Sequence, residues 1–215
     1  MKRILSFILL SVLASGMCAC NLKNDLSRIP DDSAGKKLAV IFPGMGYTKD
    51  RPLLYHSREI LEKEGYEIRY IEWNDLPKNM FTEPACTQAA EQLDDMDLDG
   101  YEDIIFVSKS IGTVASSTYV AEHDLDIRQI WYTPLLEAFD ACGGEVENGS
   151  IIAFIGTDDE RSNVSQVRIK ANTLEIELHM YEDCGHSLER DDDAGTQEVL
   201  DDVMKSTSEY IALNN

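Results

Sequence analysis

Short apolar runs of strand length alternate with amphipathic stretches of helix length along most of this chain, and that alternation constrains the fold more than any other feature. Lys37–Phe42 (KLAVIF), Tyr66–Trp73 (YEIRYIEW), Asp103–Ser108 (DIIFVS), Ile127–Tyr132 (IRQIWY), Ser150–Gly156 (SIIAFIG) and Leu174–Tyr181 (LEIELHMY) read as strands. Between them, helices are expected after Asp50 as N-cap, with Pro52 early and Gly65 past the end, and over Glu83–Met96, Ile111–Glu122 and Leu135–Ala141. A last helix is expected from Thr196 to Leu213, with Val199, Leu200, Val203 and Met204 on one face. Strands separated by helices need crossover connections, which make a parallel sheet covered on both faces. The expectation is therefore a three-layer α/β/α sandwich with a mostly parallel sheet of about six strands. The nearly continuous apolar run Asp103–Ser108 belongs at its centre.

Composition limits the partners. The chain has 215 residues, 43% of them apolar, and a formal net charge of −21. So acidic a surface repels nucleic acid and anionic lipid, and leaves a small molecule as the expected partner of a monomer. The start of the chain is set apart from the fold. Lys2 and Arg3 precede the apolar run Ile4–Ala14 and then SGMCAC. This resembles a bacterial lipoprotein signal peptide. Cys20 is the expected lipidation site, because Ala19 before it is small whereas Met17 precedes Cys18. An ordinary secretory signal is the alternative. Residues 1–20 would then be the signal, 21–36 a polar tether, and 37–215 an exported domain held at the membrane only by its lipid. Cys86, Cys142 and Cys184 remain. They are odd in number, lack metal-ligand spacing and are expected as free thiols packed like small apolar side chains.

The central apolar run ends in SKSIG, and a helix begins at once. Functional groups of an open parallel sheet collect beyond the carboxyl ends of its strands. A strand-to-helix turn this tight needs small neighbours: Ser108 on one side of Ser110 and Gly112 on the other. The competing reading is a helix N-cap serine without chemistry. A serine nucleophile needs a base and an orienting carboxylate. Asp158 and Asp159 follow the fifth strand, and His186 follows the sixth behind Gly185. His56, His123 and His179 lie in a helix, at a helix end and inside a strand, and are expected to be structural or solvated.

The order Ser, Asp, His and the S-x-S-x-G elbow resemble the α/β-hydrolase superfamily, in a small form without a lid. The resemblance implies a serine hydrolase of esterase type, with Ser110 as nucleophile, His186 as base and Asp159 as acid, three residues beyond Gly156. Asp158 stays as the alternative acid. It also implies an oxyanion hole built from the N–H of Ile111 and, in the loop FPGMGY, the N–H of Met45, although the usual His-Gly of that loop is Pro43-Gly44 here. No metal or organic cofactor is implied. Lys109 beside the elbow is expected to be solvated, and the acidic run Glu189–Gly195 to lead into the last helix rather than hold calcium. Two rival functions remain: a binding lipoprotein that keeps the fold without the chemistry, and a thiol enzyme using Cys184.

Overall fold

A computed structural model describes residues 35–77, 82–144 and 146–213. The expected signal, nearly all of the expected tether and Cys20 lie outside the described residues. Among the described residues no helix is long and apolar enough to cross a membrane.

Six strands form one parallel sheet: β1 (Lys37–Phe42), β2 (Tyr66–Tyr70), β3 (Asp103–Lys109), β4 (Arg128–Tyr132), β5 (Ile151–Gly156) and β6 (Glu177–Tyr181). Their order is β2-β1-β3-β4-β5-β6, so the chain runs first to one edge and then steadily to the other. The helices are α1 (Pro52–Lys63), α2 (Thr82–Asp94), α3 (Ile111–Glu122), α4 (Leu136–Ala141), α5 (Val164–Thr173) and α6 (Asp193–Ala212).

Alternation along the strands decides which helix covers which face. Ile41, Val107, Tyr132 and Phe154 point to one side, where Leu54 and Leu61 of α1 and Val199 and Val203 of α6 meet them. Phe42, Phe106, Trp131 and Ala153 point to the other, against α2, α3, α4 and α5. β3 is buried on both faces over its last five residues, as its apolar run requires. β2 and β6, at the two edges, are more exposed, and β2 alternates in exposure residue by residue. The three-layer sandwich expected from the alternation is the observed architecture.

Several details differ from expectation. Arg51, not Asp50, is the N-cap of α1. It is extended and its side chain makes no capping bond, so Pro52 at the first helical position opens the helix. β2 stops at Tyr70, and Trp73 instead donates its indole N–H to the Pro43 carbonyl at 2.9 Å. α5 was not expected from the sequence. Asn163 caps it by accepting from the Gln166 N–H at 3.2 Å, and only Val167 and Ala171 are buried along it. Because Leu174 closes that helix, β6 begins three residues later than expected, at Glu177. Asp192, within the acidic run, caps α6 by accepting from the Gly195 N–H at 2.7 Å.

Candidate active site

The turn between β3 and α3 holds Ser110 at φ 55° and ψ −119°. A non-glycine residue there costs on the order of 1–3 kcal/mol, which the surrounding contacts must offset. They are specific. The Ser110 N–H donates to the Tyr132 carbonyl at 3.0 Å, and its own carbonyl accepts from the Thr113 hydroxyl at 2.6 Å. Ser108 is fully buried and donates to the Ile130 carbonyl at 3.3 Å. Gly112 sits so close to Phe42 that a Cβ there would overlap the Phe42 carbonyl oxygen. Although Ser110 occupies the N-cap of α3, its side chain makes no capping bond. The hydroxyl points instead at the imidazole of His186, Oγ to Nε2 2.8 Å.

His186 lies in the loop between β6 and α6. Leu188, buried in the core, anchors that loop, and its N–H donates to the Gly185 carbonyl at 3.0 Å. The second ring nitrogen, Nδ1, lies 2.8 Å from both carboxylate oxygens of Asp159. That carboxylate is closed off from solvent, and its Oδ1 accepts the Arg161 N–H at 2.9 Å. Asp158 is exposed, and its Oδ1 accepts from the neighbouring Thr157 hydroxyl. Of the two carboxylates the sequence offers, the structure thus brings Asp159 to the histidine. With a carboxylate on Nδ1 and a hydroxyl on Nε2, the neutral ring is set to carry its proton on Nδ1. Burial pulls the histidine pKa below its usual value, and the charges of Lys109 and Arg161 act in the same sense against the opposing pull of Asp159.

Ser110 and His186 open onto a cleft of about 770 Å³, lined also by Met45, Tyr47, Arg51, Leu135, Arg161 and Glu189. Ile111 lines it too, as the first residue of α3, whose N–H has no acceptor within the helix. Met45 is at the corner of a turn closed by bonds between Gly44 and Tyr47 in both directions, neither of which uses the Met45 N–H. Met45 and Ile111, whose amides the resemblance assigns to the oxyanion hole, thus line the same cleft as Ser110.

His56 pairs with Glu59, His179 with Glu177, and His123 with the Tyr119 carbonyl, all away from the cleft. All three cysteines are free. Cys184 is fully buried, whereas Cys86 and Cys142 are only partly so, and burial pushes the Cys184 thiol up, away from thiolate chemistry. Among the described residues, no group of His, Cys, Asp and Glu is arranged to hold a metal ion. Lys109 departs most from expectation. It is 2% exposed rather than solvated, and its Nζ donates to the His186 carbonyl at 2.9 Å.

No family model matches the chain, and no curated protein matches it in sequence. Solved structures do match. Est1E from Butyrivibrio proteoclasticus superposes with a TM-score of 0.60 at 14% identity, over 82% of this chain and 89% of its own. An α/β serine hydrolase homologue from Coxiella burnetii gives 0.61 at 14% identity, over 80% and 84%. An α/β serine hydrolase without a lid from Xanthomonas campestris gives 0.62 at 12% identity, over 85% and 84%. The chain has the α/β-hydrolase fold.

Proposed function

We propose that the protein is a serine hydrolase that cleaves a small or soluble ester through an acyl-serine intermediate. The observation that carries this reading is the hydrogen-bonded line from Ser110 Oγ through His186 to Asp159, with 2.8 Å at each step. Nε2 of the neutral imidazole takes the serine proton as Oγ attacks the acyl carbon. Asp159 holds the ring and stabilises the imidazolium that forms. The carbonyl oxygen becomes an oxyanion facing the N–H groups of Met45 and Ile111, and removing one such donor costs about 3–4 kcal/mol of barrier. His186 then gives its proton to the leaving alcohol. Water, deprotonated by the same nitrogen, releases the acid and restores Ser110.

The cleft supports a soluble substrate, since charged side chains (Arg51, Glu137, Glu160, Arg161 and Glu189) share its lining with a few apolar ones. The deciding experiment is labelling by a fluorophosphonate, with Ser110→Ala as control, followed by a panel of p-nitrophenyl esters of increasing acyl length. Labelling that depends on Ser110 supports the hydrolase. Folded wild-type protein that takes no label defeats it and favours a binding protein. For the N-terminal segment we propose lipid anchoring of an exported protein at Cys20. Incorporation of radiolabelled palmitate that survives Cys20→Ser would refute it.

A further inference from the structure

Lys109 ends β3, in register with Tyr132 of β4, and immediately precedes the serine. A fully enclosed lysine needs a reason, because removing an ammonium from water is costly unless it is paired. Here no carboxylate lies within ion-pair distance of the amine among the described residues. Its polar partner is the His186 carbonyl at 2.9 Å. The Nζ also lies 4.9 Å from the centre of the Tyr47 ring, and its stem packs where a side chain on Gly44 would be. One side chain therefore spans the β1–α1 loop, the serine turn and the histidine loop.

We propose that Lys109 is a positioning residue for His186, its amine holding the main chain of the base against the strand that carries the nucleophile. This rests on the serine-hydrolase reading. A histidine in a loop has freedom that its partners on the sheet lack. Asp159 fixes the angle of the ring, but the position of the residue along the loop must be set through its backbone. The bond from Lys109 does so from the residue next to Ser110.

The amine acts on the ring electrically as well. The titratable and charged groups facing it are Asp159 and Arg161 from the loop after β5, His186 and Glu189 from the loop after β6, and the neutral phenol Tyr47 from the loop after β1. Tyr132 on β4 has its hydroxyl engaged by Ser57 and Thr207. Arg51, Glu137 and Glu160 share the cleft. Burial brings the lysine pKa down to about 7, against the opposing pull of Asp159 and Glu189. Its charge makes the ring harder to protonate.

Lys109→Met keeps the stem and removes both donor and charge. With a soluble p-nitrophenyl ester, kcat should fall about 10- to 100-fold while KM changes little, the penalty of a displaced base. The acid limb of kcat/KM should move to higher pH. Lys109→Arg, which retains a cationic donor, should return the acid limb toward that of the wild type. A normal kcat in Lys109→Met, or a lowered kcat with an unmoved acid limb, would mean that the residue only fills space, and overturns the inference. If Lys109→Met does not fold, the wild type decides. Its lysine ¹⁵N spectrum should contain a slowly exchanging Nζ signal that shifts when a fluorophosphonate occupies Ser110. The absence of any protected lysine amine overturns the proposal. A wild type that takes no fluorophosphonate overturns the hydrolase reading and this inference with it. A labelled wild type beside an unaltered Lys109→Met overturns the inference alone.

Discussion

The main chain of Gly156 lies against the main chain of Cys184, with no room between them for a side chain on the glycine. Two residues on, the Asp158 N–H donates to the Cys184 carbonyl at 3.0 Å, and the Thr157 hydroxyl accepts the Asp183 N–H at 3.0 Å. The turns after β5 and β6 are thus seated on each other by backbone contacts, and Asp159 meets His186 as a result. In Gly156→Ala a Cβ would strike main chain, which cannot swing away. The variant should lose about 1–3 kcal/mol or more of stability. It should also lose activity beyond what the unfolded fraction explains, as measured by urea unfolding and by kcat on the folded protein.

Asp158 and Asp159 are adjacent, yet only Asp159 is buried against the imidazole. Asp159→Asn keeps the shape and reverses the tautomer preference, so kcat should fall by roughly 10⁴-fold. Asp158→Asn should leave kcat close to the wild-type value. Equal effects in the two variants would refute the assignment of the acid.

The proposed mechanism needs a neutral His186. Its pKa lies below the usual 6.5, chiefly through burial, so kcat/KM should rise with pH and reach half its plateau below pH 6.5. A midpoint above that value would show that Asp159 dominates the ring's environment.

Lys109 titrates at about 7 when folded and near 10.5 when unfolded. A lowered pKa means that the unfolded chain binds the extra proton between those values. The residue's contribution to stability is therefore complete above 10.5 and is lost as pH falls toward 7. Stability relative to Lys109→Met should increase from about pH 7 to about pH 10. Urea midpoints of the two proteins measured side by side test this, since the shared tyrosines cancel in the difference.

Tyr132 bridges Ser57 of α1 and Thr207 of α6 through its buried hydroxyl, at 2.8 and 2.7 Å. Ser57 donates onward to the Leu53 carbonyl, so it accepts from Tyr132, which in turn accepts from Thr207. Tyr132→Phe should cost about 1–3 kcal/mol by leaving Thr207 without an acceptor, with kcat unchanged.

How far each feature is legible in the sequence follows from how local its cause is. β3 and the Ser110 turn are legible because an unbroken apolar run ending in small residues has few other uses. α5 is less so, because its inward stripe of Val164, Val167 and Ala171 is short, only Val167 and Ala171 of it are fully buried, and Ile169 points to solvent. The choice between Asp158 and Asp159 depends on backbone bonds to a loop some 25 residues away in the chain, and nothing adjacent to either residue records it. Lys109 reads as a surface residue for the same reason. What covers it comes from the β1–α1 and β6–α6 loops, which no local window contains.

The strand order has one more consequence. The serine, the acid, the histidine and the two amides come from the turns after β1, β3, β5 and β6. The turn after β4 lends the cleft only its wall, through Leu135 and Glu137. That stretch therefore holds none of the proposed reacting groups, whereas Arg51, Arg161 and Glu189 place wall residues on the same turns as those groups. Under the hydrolase reading, substitutions after β4 redraw one side of the cleft while the reacting atoms stay where they are, so acyl preference can drift there without the reaction being rebuilt.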